Sequence, residues 1–230
     1  MCLEEYYSNP MKVKQPWWGV FLDRFVKNYS REEVAVELGL SGQACLDVAC
    51  GDGELINRFL HKKYKKLIGV DLAPGLIKKA KKKANDNTEY IISDIDTFVQ
   101  KAILKKQKFD TVYMLAILEH ISWPLELLTK LSKIVGKGGR VVVEVPNVAW
   151  LPHRINLMLG NFPETAPTHG VIPGVCDEHI RFFALHSLDL VFSRAGFKRE
   201  RIDCAGRLRL LKHLWVPLFS PDLFAVYYKG

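Results

Sequence analysis

The chain has 230 residues, 48% of them hydrophobic and 25% charged, with a formal net charge of +8. That length supports one domain with a sizeable core, and the composition is ordinary globular usage, which excludes disordered and fibrous classes. Five cysteines (Cys2, Cys45, Cys50, Cys176, Cys204) are an odd number with no Cys-x-x-Cys pair, so neither a disulfide framework nor a zinc site is suggested.

Residues 1–43 read as a helical leader, with Trp17, Trp18, Phe21, Leu22 and Phe25 at helical spacing. Those rings are expected to pack as core, and Tyr6, Tyr7 and Trp17 are candidates for a lid over a cationic ligand. Glu4, Glu5 and Tyr6 do not make a signal peptide, and no apolar run reaches the length of a membrane span. With reduced thiols, a cytoplasmic location is expected.

The run Leu46-Asp47-Val48-Ala49-Cys50-Gly51-Asp52-Gly53-Glu54-Leu55 reads as a buried strand, a glycine turn and the start of a helix carrying Leu55, Ile56, Phe59 and Leu60. Gly51 and Gly53 remove the Cβ atoms that would hold a ligand away from the main chain. A second strand, Lys66 to Asp71, ends in a carboxylate about twenty residues after the first glycine, where an acid can accept from both ribose hydroxyls. The nicotinamide fingerprint needs a third glycine where this chain has Ile56, and it has no use for an acid just before the turn. S-adenosylmethionine has no pyrophosphate and carries an ammonium group, which Asp47 suits through direct or water-bridged contact.

Pro74 to Ala84 reads as a helix with Leu76, Ile77, Ala80 and Ala84 on one face, leaving Lys78, Lys79, Lys81, Lys82 and Lys83 as a solvated face. Lys62, Lys63, Lys65 and Lys66 surround the entry of the second strand, so much of the positive charge needs no nucleic-acid partner. A third strand, Glu89 to Ile92, precedes Ser93-Asp94-Ile95-Asp96. Phe109 to Leu115 is a fourth strand, Lys137-Gly138-Gly139-Arg140 a turn, and Val141 to Val145 a fifth strand. Leu188, Val191, Phe192 and Ala195 form a helix stripe, followed by strands Phe197 to Asp203 and Leu223 to Tyr228.

Together these segments resemble a class I S-adenosylmethionine-dependent methyltransferase over nearly all of residues 44–230, and in particular small-molecule methyltransferases of quinone and surface-glycan pathways. The acid-x-Gly-x-Gly-x-Gly pattern appears as Asp47-x-Ala49-x-Gly51-x-Gly53, where Ala49 is tolerable at a negative φ. The resemblance implies a Rossmann-like, doubly wound, seven-stranded α/β sheet, mostly parallel with an antiparallel final strand and helices on both faces. Short connections in an alternating sheet and helix core point the same way. It implies a single domain, divided into a cap (1–43), a cofactor core (44–145), a substrate lid (146–186) and a C-terminal helix with strands (187–230). It also implies cofactor contacts: Asp47, Ala49, Gly51 and Gly53 at the turn, Asp71 on the ribose, Leu72 on the adenine face, Asp94 accepting from the adenine amino group, the Ile95 amide on the ring, and Leu115. S-adenosyl-L-methionine is the cofactor and S-adenosyl-L-homocysteine its product.

The lid segment contains Asn147, an amphipathic helix over Val148 to Leu159, and a loop rich in Pro, Gly and His, as long functional loops often are. Its Asp177-Glu178-His179-Ile180-Arg181-Phe182-Phe183 run is similar to the His-x-Arg-Phe-Phe segment of those relatives. Arg181 and Asn147 are the candidate substrate residues. Relatives often have a Thr where this chain has Ala184, which removes a helix cap contributing about 1 kcal/mol. Methyl transfer is an in-line displacement, and a hydroxyl acceptor calls for a base, for which His120, His169 and His179 are the candidates. Quinone methyltransferases carry a Glu-x-x-Glu-His metal cluster after the fourth strand. Here its first position is Ala116, which leaves Glu119 and His120, and no required metal is expected. A small-molecule acceptor, methylated on oxygen or nitrogen, is the leading expectation. An RNA methyltransferase and a non-catalytic cofactor-binding regulator stay open, and the oligomeric state is not fixed.

Overall fold

The computed structural model describes residues 28–163, 165, 179–206 and 209–230. The aromatic leader residues Tyr6 to Phe25 and the candidate base His169 lie outside them. In chain order the elements are α1 (Arg31–Leu38), β1 (Gly42–Val48), α2 (Leu55–Leu60, with π-type turns), β2 (Tyr64–Asp71), α3 (Pro74–Lys81), β3 (Thr88–Ile92), α4 (Ile95–Leu104), β4 (Phe109–Leu115), a 3-10 turn (Leu118–His120), α5 (Pro124–Ser132), β5 (Val135–Pro146), α6 (Leu151–Met158), α7 (Leu185–Arg194), β6 (Phe197–Asp203), α8 (Arg209–Lys212), α9 (Val216–Phe219) and β7 (Asp222–Lys229).

The strands form one seven-stranded sheet in the order β3-β2-β1-β4-β5-β7-β6. Pairings from β3 to β5 are parallel, whereas β7 runs antiparallel to both β5 and β6. This is the Rossmann-like arrangement that the sequence implies. Its central strands are apolar runs buried on both faces, as parallel strands must be when helices cover them. One core layer holds Phe98, Leu128 and Phe192 from α4, α5 and α7, and the other holds Val34, Ile56 and Ile77 from α1, α2 and α3. The outer strand β6 is charged and exposed along its middle, which discourages pairing with another chain.

Several boundaries differ from the sequence reading for identifiable reasons. α3 stops at Lys81, and Ala84 is exposed beyond it. The Lys137 to Arg140 turn lies inside β5, as an irregularity where pairing with β4 shifts between Phe109 and Thr111; Gly138 takes φ +70° there. The missing cap at Ala184 is partly replaced: the Ser187 hydroxyl accepts from the Ala184 amide at 3.0 Å and donates back to its carbonyl at 2.9 Å. α6 buries only His153, while Leu151, Ile155, Leu157 and Met158 are exposed. Among the described residues no helix is long and apolar enough to cross a membrane.

α1 is set over the sheet by two devices. Ser30 and Glu33 form a capping box, with the Glu33 amide donating to Ser30 Oγ (3.1 Å) and the Ser30 amide to Glu33 Oε2 (2.9 Å). Farther along, Arg209 donates to Asp203 at 2.8 and 2.7 Å and to Glu37 of α1 at 2.7 Å, which ties the helix to the end of β6. Burial would raise the Asp203 carboxyl, but hydrogen bonds from Arg209 and the Cys204 amide outweigh it and hold the group below its usual range.

Candidate functional site

In this strand order the direction of winding reverses between β1 and β4, and open α/β sheets bind ligands at the carboxyl ends of such a pair. A cavity of about 1110 Å³ opens there. That volume exceeds the ~300–1,000 Å³ of ordinary small-molecule pockets, so it has room for a cofactor and a second molecule. Ala49, Gly51, Asp71, Leu72, Asp94, Ile95 and Leu115, which the resemblance assigns to cofactor contacts, all line it.

Gly51 takes φ +56°, and an added Cβ there would meet no protein atom within 4 Å. Its amide donates to Asp71 Oδ2 at 2.9 Å, while the Ala73 amide donates to Oδ1 at 2.8 Å. Each Asp71 oxygen thus holds the turn with one lone pair and keeps a second for a ligand hydroxyl. Asp94 faces the cavity but also caps α4, accepting from the Thr97 amide at 2.8 Å. Leu72 is 70% exposed, an apolar surface waiting for a flat partner.

Three expectations at the turn need correction. Ala49 does not keep a negative φ: it sits at +56°, and Ala116, at the end of the adjacent β4, sits at +51°. Left-handed alanine costs about 1–2 kcal/mol, and such strain is held where the surroundings over-determine the backbone. Gly53 does not line the cavity. An added Cβ would lie 2.3 Å from the Tyr90 hydroxyl, and the residue takes φ +76°, so packing and backbone conformation at the turn both call for glycine. Asp47 is also outside the lining, only 3% exposed, between Gly69 of β2 and Tyr113 of β4. Burial pushes its carboxyl up to about 8, against the pull of Arg31 and with a further push from Asp71.

Beyond the turn, toward β4, lie groups that the sequence reading did not assemble. Arg31, the first residue of α1, lines the cavity and donates to Glu144 Oε2 at 2.6 Å, across 113 positions of sequence. Burial pushes both Glu144 and Glu119 up to about 7, with Arg31 pulling the other way in each case. Glu119 is 1% exposed, and neither of its carboxylate oxygens has a hydrogen-bond partner. His120 lines the cavity, and its ring centroid lies 4.9 Å from that of His179, edge to face. His179 itself is behind His120, with Nε2 3.9 Å from Glu119 Oε1 and Nδ1 2.9 Å from Thr165 Oγ1.

Ile180 and Arg181 are positioned through Glu119. Its carbonyl accepts from the Ile180 and Arg181 amides at 3.1 and 3.0 Å. The Arg181 guanidinium donates to the carbonyls of Ile180 (3.0 Å) and Ser122 (2.5 Å), so it pins the segment rather than lining the cavity. At the other end Asn147 pairs with Phe183 in a single parallel bridge. Asn147 is fully buried, its amide donating to the carbonyls of Pro217 and Ser220 and its oxygen accepting from the Ala149 amide. That contradicts a substrate role: every polar group of the side chain is committed to main chain. The lysines of α3 are exposed, a solvated face.

Residues 22–201 match the family model described as "Methyltransferase domain". The mitochondrial ubiquinone biosynthesis O-methyltransferase of Dictyostelium discoideum is 30% identical over 164 residues, covering 66% of this chain and 49% of that protein. This chain spans about half the length of the curated relatives it matches. The fold is shared with a SAM-dependent methyltransferase from Archaeoglobus fulgidus (TM-score 0.60, 19% identity, covering 93% of this chain and 100% of that one). It is shared too with the N-methyltransferase NodS of Bradyrhizobium japonicum, solved with S-adenosyl-L-homocysteine (TM-score 0.58, 16% identity, covering 99% of this chain and 96% of that one). The glycine turn, the Asp71 carboxylate and the family match agree: the chain belongs to the methyltransferase-domain family, the class I S-adenosylmethionine-dependent methyltransferases, and S-adenosylmethionine is its cofactor.

Proposed function

We propose that this protein transfers the methyl group of S-adenosylmethionine to a hydroxyl oxygen of a small, ring-containing acceptor of quinone-precursor type. The observation that carries the reading is the continuity of one cavity from the ribose carboxylate Asp71, past Gly51, to His120. A methyl donor held along Asp71 and Gly51 leaves its sulfonium facing the β4 end, where Glu119, His120 and His179 cluster. The similarity to ubiquinone biosynthesis O-methyltransferases supports oxygen as the acceptor atom.

In the reaction the acceptor oxygen attacks the methyl carbon, the carbon–sulfur bond breaks, and its electron pair stays on the neutral thioether of S-adenosylhomocysteine. The hydroxyl proton must leave, and the cluster at this end of the cavity is placed to take it. The chain contributes alignment and exclusion of water through the lid residues tied to Glu119. Arg31 offers the cation for the cofactor's carboxylate, since it lines the same cavity and its Nε has no hydrogen-bond partner.

Incubation with S-adenosylmethionine and a panel of catechols, other phenols, amines and total tRNA tests the proposal, with S-adenosylhomocysteine release as readout. Turnover on a catechol or phenol is the expected result. Turnover on tRNA alone, or cofactor binding without turnover on any acceptor, would overturn it.

A further inference from the structure

Near the carboxyl end of β5 an acid occupies a position where the sheet would favour an apolar side chain. Glu144 pairs in register with Leu115 of β4 and Phe224 of β7, and it is only 6% exposed. A buried carboxylate is costly unless it is paired, and its partner is Arg31, whose Nη2 donates to Oε2 at 2.6 Å. Apolar residues in place of a buried ion pair generally match its stability, so stability alone does not call for a carboxylate here. The pair has two unlike ends: Arg31 lines the cavity, and Glu144 does not.

An arginine side chain has many rotamers, so a guanidinium used for recognition binds best when it is held before the ligand arrives. Among the described residues the bond to Glu144 is the one hydrogen bond that the Arg31 guanidinium makes. Glu32 Oε1 approaches Nε only to 3.8 Å, and Nε has no hydrogen-bond partner. The helix beneath is fixed by other groups, through the Ser30–Glu33 capping box and the hold of Arg209 on Glu37. Glu144 is fixed in turn, because its carbonyl accepts from the Ala116 amide at 3.1 Å. Main chain and side chain of Arg31 are therefore held by different partners, and Glu144 sets the direction of the guanidinium.

We propose that Glu144 is a positioning residue for the methyl donor, aiming Arg31 at the carboxylate of the donor's amino-acid arm without touching the donor itself. The proposal rests on the reading that Arg31 meets that carboxylate. With Nη2 committed to Glu144, the other N–H groups of the planar fork are left for the ligand. An acid that merely occupied Arg31 would have the opposite effect, competing with the ligand carboxylate for the same cation. The two roles differ in the sign of the change when the Glu144 oxygens are removed.

Calorimetric binding of S-adenosylhomocysteine and of methylthioadenosine, which keeps the adenosine and thioether but lacks the amino-acid arm, tests this on the whole chain without an acceptor. Glu144→Leu should weaken S-adenosylhomocysteine about fivefold or more and change methylthioadenosine less than about twofold, the second ligand also reporting that the variant is folded. Glu144→Met, closer in shape to the native side chain, should behave in the same way. Glu144→Gln keeps an oxygen for Nη2 and should stay within about threefold of the parent for both ligands. In an Arg31→Leu background Glu144→Leu should add no further loss, as residues that act as a unit do. Unchanged or tighter S-adenosylhomocysteine binding by the Leu and Met variants, equal losses for the two ligands, or a further loss in the Arg31→Leu background would overturn the positioning role. If Arg31→Leu alone leaves S-adenosylhomocysteine binding unchanged, the reading of Arg31 falls and the proposal with it. Loss in Arg31→Leu with none in Glu144→Leu overturns the proposal and leaves that reading standing.

Discussion

The Gly51 amide and the Asp71 carboxylate are joined by a 2.9 Å hydrogen bond that ties the first strand's turn to the end of the second strand. One carboxylate therefore shapes the cradle and keeps lone pairs that, on the proposed reading, serve the ribose. Asp71→Ala should weaken S-adenosylhomocysteine binding by about 1.5–3 kcal/mol for each charge-assisted bond lost, with a smaller loss of stability from the freed Gly51 and Ala73 amides. Asp71→Asn should recover only part of this, because one side-chain oxygen becomes a donor facing a backbone donor. Calorimetry on folded variants decides it, and an unchanged dissociation constant in Asp71→Ala would remove the residue from the site.

Ala49 and Gly51 share a left-handed φ of 56° but should respond to substitution in opposite ways. Ala49→Gly relieves strain and should raise stability by up to about 1 kcal/mol, the gain being reduced by the greater freedom of glycine in the unfolded chain. Gly51→Val adds strain and places a branched side chain in the open cavity, so S-adenosylhomocysteine binding should be lost while the two core layers keep a cooperative thermal transition. Normal binding by Gly51→Val would mean that this glycine only makes the turn.

Asp47 gives the site a pH dependence with a definite sign. Its folded value, pushed up to about 8 mainly by burial, lies above the unfolded ~3.9. The stability it contributes is therefore fully present below pH ~4 and is lost as pH rises through about 8. Although Asp47 does not line the cavity, the positive charge of a cofactor ammonium at the neighbouring turn favours its ionised form, so binding should release a proton, and affinity for S-adenosylhomocysteine should rise from pH 6 to 7.5. Calorimetry in two buffers of different ionisation enthalpy measures that proton. Asp47→Asn should flatten the slope; a slope unchanged in this variant would assign the proton to another group, such as Glu144 or Glu119.

How legible these features were depends on how local their causes are. Strands β4 and β6 were read to the residue because each is a short patterned run bounded by turn chemistry, and the order of elements follows from the alternating periodicity. That Gly51 and Asp71 line one cavity was legible for the same reason, from spacing along one β-α-β unit, whereas Leu72, Asp94 and Ile95, which line it too, were expected only from the resemblance. Gly53 was misassigned because the Tyr90 hydroxyl that demands it comes from another strand. Asn147 looked like a site residue until its partners, some seventy positions away, were known. Arg31 carries no local signature beyond a capping box, since its meaning lies in Glu144 and the cavity.

The segment around residues 179–183 is tied down at Arg181, and loosening it should separate acceptor handling from cofactor binding. The guanidinium holds two carbonyls, those of Ile180 and Ser122, while two backbone amides of the segment hold Glu119. Because this arginine is partly solvated, the full strength of a charged hydrogen bond does not apply, and removal should cost roughly 0.5–1.5 kcal/mol in holding this segment. Arg181→Ala should accordingly lower kcat/KM for the acceptor by a few-fold to about tenfold, with the dissociation constant of S-adenosylhomocysteine changed less than about threefold. Arg181→Lys should recover little, because a single ammonium does not reproduce a planar fork spanning two carbonyls. His179→Ala should cost more in turnover than Arg181→Ala, since it removes a member of the cluster and not only its support. Full turnover in both alanine variants would show that the segment around residues 179–183 neither selects the acceptor nor helps to transfer the methyl group.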